Sequence, residues 1–207
     1  MNKLTEDRMA ELLEAGYELR SIEFKSPFLW SDIKSRWLKE NVVKAVLGMT
    51  NTRGGGEIII GIEEIKKGKK KELKSVGLTD DQLNSFKDYD AIKGYVDSFS
   101  HTETNFDISW GKLEKKKYII FTVRDFDEIP AICKKDSQEK DVLKKSVIYT
   151  RSKKAPYSTI PTTDIELREI IHMAVDKEKS ELKKRGWIRK SEVSPEDFYK
   201  SKIKDID

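Results

Sequence analysis

The chain has 207 residues, 37% of them hydrophobic and 38% charged, which suits one sizeable core with a small appendage and argues against a disordered chain. Cys133 is the only cysteine, which excludes an internal disulfide and a cysteine-built metal cage. The longest apolar run, Ile58 to Ile62, is too short to cross a bilayer, and no N-terminal stretch has the order of a signal peptide, so the expected compartment is the cytoplasm.

Thr5 to Ala15 reads as a helix, with Thr5 as cap, Leu4, Met9, Leu12 and Leu13 on one face and Gly16 at its end. Leu19 to Lys25 alternates like a strand, with Ile22 and Phe24 opposite Glu23 and Lys25. A long helix is expected over Asp32 to Thr50, where Ile33, Trp37, Val42, Val46 and Met49 fall at helical spacing. Asn51-Thr52-Arg53-Gly54-Gly55-Gly56 is a tight turn whose glycines supply positive φ. It feeds Glu57 to Ile62, a β-branched run of the kind found in strands buried on both faces.

A lysine-rich segment follows and reads as a loop. Thr79 to Gln82 carries a capping box, and Ile92 to Phe99 continues as helix. Phe106 to Leu113 and Tyr118 to Val123 read as a hairpin turning at Lys115-Lys116-Lys117. Ala131 to Lys134 and Val147 to Thr150 look like short strands flanking a polar loop. A second capping box, Thr163 to Glu166, opens a helix to about Arg185 whose apolar positions stop near Val175. The fold class expected is α/β (α+β): a mixed central sheet flanked by helices, with a charged C-terminal helix. Residues 1–178 are expected to form one domain, and 179–207 a charged helical extension and flexible tail.

The formal charge is +4, from 41 basic and 37 acidic residues, so distribution says more than the sum. Lysines cluster at Lys66, Lys67, Lys69, Lys70 and Lys71, at Lys115 to Lys117, and at Lys144, Lys145, Arg151, Lys153 and Lys154. Clusters near loops and strand ends form phosphate-attracting surfaces. The two histidines, His101 and His172, suggest no relay. The glycine turn leads into a strand, whereas phosphate cradles open helices, so no ATP site is expected. Glu18, Glu23, Glu63 and Glu64 stand near strand ends, where carboxylates suit Mg²⁺ or Mn²⁺, ions that activate water for phosphodiester cleavage. Ordinary surface glutamates fit the same spacing.

Glu18 to Lys25, with its Glu-Phe-Lys ending, Asn51 to Glu64, Val76-Gly77-Leu78, Ile129-Pro130-Ala131 and Val147 to Ser152 occur in an order that resembles the Schlafen AlbA-type domain family. The resemblance implies an AlbA-like lobe and, by analogy with animal members that cleave transfer RNA, a three-carboxylate site holding Mg²⁺ or Mn²⁺. Glu18 and Glu23 match two ligands, and Glu64, or alternatively Glu63, matches the third, an aspartate in that family. Lys25 matches a lysine at the scissile phosphate. The cysteine zinc site of vertebrate members has no counterpart.

The expected nucleic-acid contacts are Lys66, Lys67, Lys69, Lys70, Lys71, Arg151, Lys153 and Lys154. The leading expectation is an endoribonuclease acting on structured RNA such as tRNA. The alternatives are a non-catalytic DNA- or RNA-binding regulatory module and a DNA nuclease using the same carboxylates. Two lobes enclose the duplex in the animal enzymes, so a homodimer is implied, and the resemblance hints at phage defence.

Overall fold

The computed structural model describes residues 1–14, 20–67, 70–138, 141–155 and 158–187. Its centre is a five-stranded mixed sheet of β1 (Asn2–Lys3), β2 (Ile22–Lys25), β3 (Gly56–Ile60), β6 (Phe106–Leu113) and β7 (Lys116–Val123), in the order β1-β6-β7-β3-β2. β2 pairs parallel to β3, β3 and β6 run antiparallel to β7, and β1 runs parallel to β6. Alternation along β3 and β7 sends side chains to two cores. Ile58, Ile60, Ile119 and Phe121 face one way, with α2 (Arg36–Thr50), α3 (Asp80–Asn84) and α4 (Tyr89–Asp97) contributing to that core. Ile59 and Ile120 face the other way with Ile22 and Phe24, against Met9 and Leu12 of α1 (Glu6–Glu14). The mixed sheet and flanking helices match the expected fold class.

The glycine turn has the expected cause. Gly54 and Gly55 have φ of +81° and +68°, a region that disfavours side chains, and a Cβ on Gly55 would run into the Val123 carbonyl. The asparagine-threonine pair beside it is a clasp. Asn51 donates to the carbonyls of Ala131 (2.8 Å) and Tyr149 (2.9 Å) and accepts from the Ala131 N–H (2.8 Å), all buried.

Four expectations need correction. The lysine-rich segment is a β-hairpin, β4 (Ile62–Lys67) and β5 (Lys70–Ser75). Gly61, at φ +125°, ends β3 and starts this second ribbon, so the apolar run is not one strand through Ile62. Ile62 and Leu73 pack on the core beneath it, and the lysine-rich stretch between them shows no apolar period. Second, Ile33 (70% exposed) and Trp37 (43%) leave the core stripe: Ile33–Ser35 is a 3-10 turn ahead of α2, and Trp37, nine residues before Val46, lies on the opposite side of the helix. Third, Ala131 to Lys134 supplies an isolated bridge between Cys133 and Ser100. Its neighbour strand is instead β8 (Tyr149–Arg151), paired with β9 (Thr159–Pro161). Fourth, Thr79 and Gln82 form a complete capping box, but the Thr163 hydroxyl donates to the Glu166 carboxylate and caps no backbone N–H.

The last helix, α5 (Asp164–Lys184), runs unbroken through residue 178. Ile170 and Met173 pack on Phe126, and ion pairs Lys177–Asp125 (3.0 Å) and Arg53–Asp176 (2.9 Å) fix it further. Among the described residues no helix is long and apolar enough to cross a membrane. The expected tail from residue 188 onward lies outside the described residues.

Candidate nucleic-acid interface

β2 is an edge strand, and its polar face opens into a cleft of roughly 300 Å³. Glu23 and Lys25 of β2, Trp37 and Asn41 of α2, and Ile62, Glu64 and Leu73 of the β4–β5 hairpin line it. The hairpin register pairs Glu64 with Leu73 and Glu63 with Lys74. Alternation therefore puts Glu64 on the cleft side and Glu63 on the opposite face.

Glu23 is buried at the base, 6% exposed, and its two oxygens face different cations. Oε1 pairs with the Lys25 ammonium and Oε2 with the Arg151 guanidinium. Thr159 also donates to Oε2 at 3.4 Å. Arg151, expected as a surface cation, is 0% exposed. Its guanidinium donates to the β2-edge carbonyls of Arg20 (3.1 Å) and Ile22 (2.9 Å) and to Thr159 (3.2 Å). In this position it braces β8 against β2 and contacts no solvent-borne phosphate, which corrects the expectation. Arg20 returns the bond, donating to the Arg151 carbonyl (3.1 Å), and pairs with Glu169 of α5 at 2.7 Å. The Arg20 hydrogen bond, joined by Lys153, holds the Glu169 carboxyl below the ordinary carboxylate range.

Of the other expected contacts, Lys153 pairs with Glu169 at 3.2 Å, and Lys154 is exposed near the start of α5. Lys66 and Lys67 lie in β4 and Lys70 and Lys71 in β5. Lys69 and Glu18 lie outside the described residues. Asn41 of the cleft, and Lys44 near Lys25, escaped the sequence reading. They follow Trp37 by four and seven residues, which is one helix face, and reading that spacing as a mixed polar stripe would have found them. Lys44 stands 5.4 Å over the Tyr149 ring. Burial, with a contribution from the neighbouring Lys25 charge, pushes its ammonium pKa down.

The sequence profile of the Schlafen AlbA_2 domain matches residues 18–158. The chain belongs to the Schlafen AlbA_2 family. Comparison with curated proteins finds no match. Among solved structures, this Schlafen AlbA_2 protein is similar to a Corynebacterium diphtheriae protein (14% identity, TM-score 0.45), covering 75% of this chain and 29% of that one. It is also similar to the N-terminal domain of a protein related to the ATP-dependent DNA helicase RecG from Nitrosomonas europaea (19% identity, TM-score 0.42), covering 67% and 84%. At these scores neither superposition bears on activity.

The metal donors implied by the family can be tested against the cleft. Glu23 and Glu64 share it, but Glu23 already has a cation at each oxygen. Among the described residues no three acidic, histidine or cysteine side chains are grouped to hold an ion. The described donor set therefore does not fit a divalent ion as it stands, and no reaction step is drawn through one.

Proposed function

We propose that this Schlafen AlbA_2 protein binds nucleic acid along the cleft between β2, α2 and the β4–β5 hairpin. One observation carries the reading: the hairpin bearing Lys66, Lys67, Lys70 and Lys71 is also the wall that presents Glu64 and Leu73 to Lys25. A lysine-bearing ribbon beside a polar groove suits a polyanionic backbone, whose binding releases counterions and weakens as salt rises. The test is anisotropy titration of labelled RNA and DNA across a salt series. Replacing Lys66, Lys67, Lys70 and Lys71 by glutamine should lower the slope of log affinity against log salt by roughly 0.7–0.9 per contacting lysine. An unchanged slope refutes the hairpin's role.

A second, catalytic reading is favoured by the meeting of Glu23, Lys25 and Glu64 in one cleft. It is divalent-metal-dependent cleavage of structured RNA such as tRNA, with Glu18, Glu23 and Glu64 as ligands, Lys25 at the phosphate, and a homodimer supplying a second lobe. It requires Lys25 to release Glu23 Oε1. Mn²⁺-dependent cleavage of tRNA that Glu64→Gln abolishes while binding persists supports it. Duplex DNA run in parallel separates RNA from DNA cleavage, and cleavage unaltered in Glu64→Gln removes it.

A further inference from the structure

The aromatic lip of the cleft has no part in the lysine contacts just described. Trp30 is buried in an aromatic cluster with Phe28, Phe86 and Phe121, and Trp110 packs against the same core. Trp37, in the first turn of α2, is left 43% exposed. It borders the cleft with Asn41, Leu38 and Leu73. Lys34, Arg36 and Lys39 lie within three residues of it in sequence, and Lys39 stands close to Asp32 and Arg36. Lys25 lines the cleft itself. Single strands are held by bases on aromatic faces and phosphates on lysine and arginine.

We infer that the cleft takes a single unpaired nucleotide, its base stacked on Trp37, its flanking phosphates met by the cations of the α2 N-terminal turns, and Lys25 below. The inference rests on the proposed nucleic-acid binding and narrows its substrate to strands with an unpaired base, at a loop, bulge or overhang. A base stacked here has two polar neighbours at its edges. Glu64 accepts from an exocyclic amine or ring N–H, and Asn41, whose amide donates to the Trp37 carbonyl at 2.7 Å, keeps its side-chain oxygen as an acceptor.

The experiment uses the full chain and four labelled probes, a blunt duplex and the same duplex with a single-stranded overhang, each as RNA and as DNA. Wild type should bind an overhang probe more tightly than its blunt partner. Trp37→Ala should weaken overhang binding by about 5- to 150-fold, the effect of losing one base–aromatic stack. Trp37→Phe should retain most of it, and Trp37→Ala should weaken blunt-duplex binding far less than overhang binding. The emission difference between wild type and Trp37→Phe isolates this ring's fluorescence, which the overhang should quench. The strand type showing these effects identifies RNA or DNA as the ligand. Nucleic-acid binding that gains nothing from an overhang, or that Trp37→Ala leaves intact, overturns this inference alone. A wild-type chain that binds none of the four probes overturns the proposed function with it.

Discussion

Arg151→Met tests the buried clamp at the sheet edge. The guanidinium is fully buried, pairs with Glu23 and donates to the carbonyls of Ile22 in β2 and of Arg20 just before it. Methionine keeps much of the volume and removes every donor. Breaking one partner of a buried pair costs roughly 3–5 kcal/mol because the other charge stays buried. Each carbonyl left unmet contributes within a range of roughly 1–3 kcal/mol. These losses share one side chain and do not add, and Lys25 still pairs Glu23 Oε1. A net loss of about 3–4 kcal/mol is therefore expected, a large share of a domain total of about 5–15 kcal/mol. For a chain of this size that lowers Tm by roughly 6–16 °C. Urea denaturation followed by far-UV circular dichroism reads it directly. Glu23→Gln in the Arg151→Met background should restore part of the loss by removing the stranded charge. A single variant within about 1 kcal/mol of wild type, or a double variant no better than Arg151→Met, would mean that the pair is not buried in solution.

Three further outcomes follow from the same geometry. Gly55→Ala meets both a positive φ and the Val123 carbonyl, whereas Gly54→Ala meets only the positive φ. Losses of about 2–3 and about 1–2 kcal/mol are expected from urea midpoints, and equal losses contradict the close approach. Asn51→Asp forfeits both amide donors and sets a carboxylate against the Ala131 and Tyr149 carbonyls, so at neutral pH its urea midpoint should fall below that of Asn51→Ala. Glu169 has a depressed carboxyl pKa through Arg20 and Lys153. Its contribution is complete above the unfolded glutamate value of about 4.3 and is lost as pH falls through the folded value. The stability difference between wild type and Arg20→Met should shrink on acidification, and a difference that grows reverses the assignment.

Elements whose signal is local were legible in the sequence. The β-branched run of β3, the alternation of β6, the Thr79 capping box and the positive-φ glycines each depend on neighbours a few residues away. Family resemblance drew Glu23, Lys25 and Glu64 together, and the fold puts them on one cleft. The failures share a different cause. Arg151 sits in a polar run, and only Glu23 and the β2 carbonyls, distant in sequence, make its burial tolerable. Trp37 lost its expected place because it stands nine residues before Val46, on the opposite side of α2. The β4–β5 hairpin has charged positions on both faces, so apolar periodicity, which detects burial, is silent about it.

The division of labour at Glu23 bears on both functional readings. Oε2 is tied to Arg151, which is itself tied to the Arg20 and Ile22 carbonyls, so that oxygen holds the sheet edge to β8. Oε1 meets Lys25, whose ammonium lines the open cleft. Structure and ligand therefore act on separate oxygens of one carboxylate. A phosphate drawn toward Lys25 competes with Oε1 and leaves the Arg151 clamp in place, so the site can exchange partners without loosening the fold. Truncating Glu23 removes both roles together, which is why Glu64→Gln, on the exposed hairpin, is the cleaner probe of chemistry. Lys25→Met likewise isolates the ligand side: it should weaken phosphate-dependent binding while costing less stability than Arg151→Met, which also loses the donors to the Arg20 and Ile22 carbonyls.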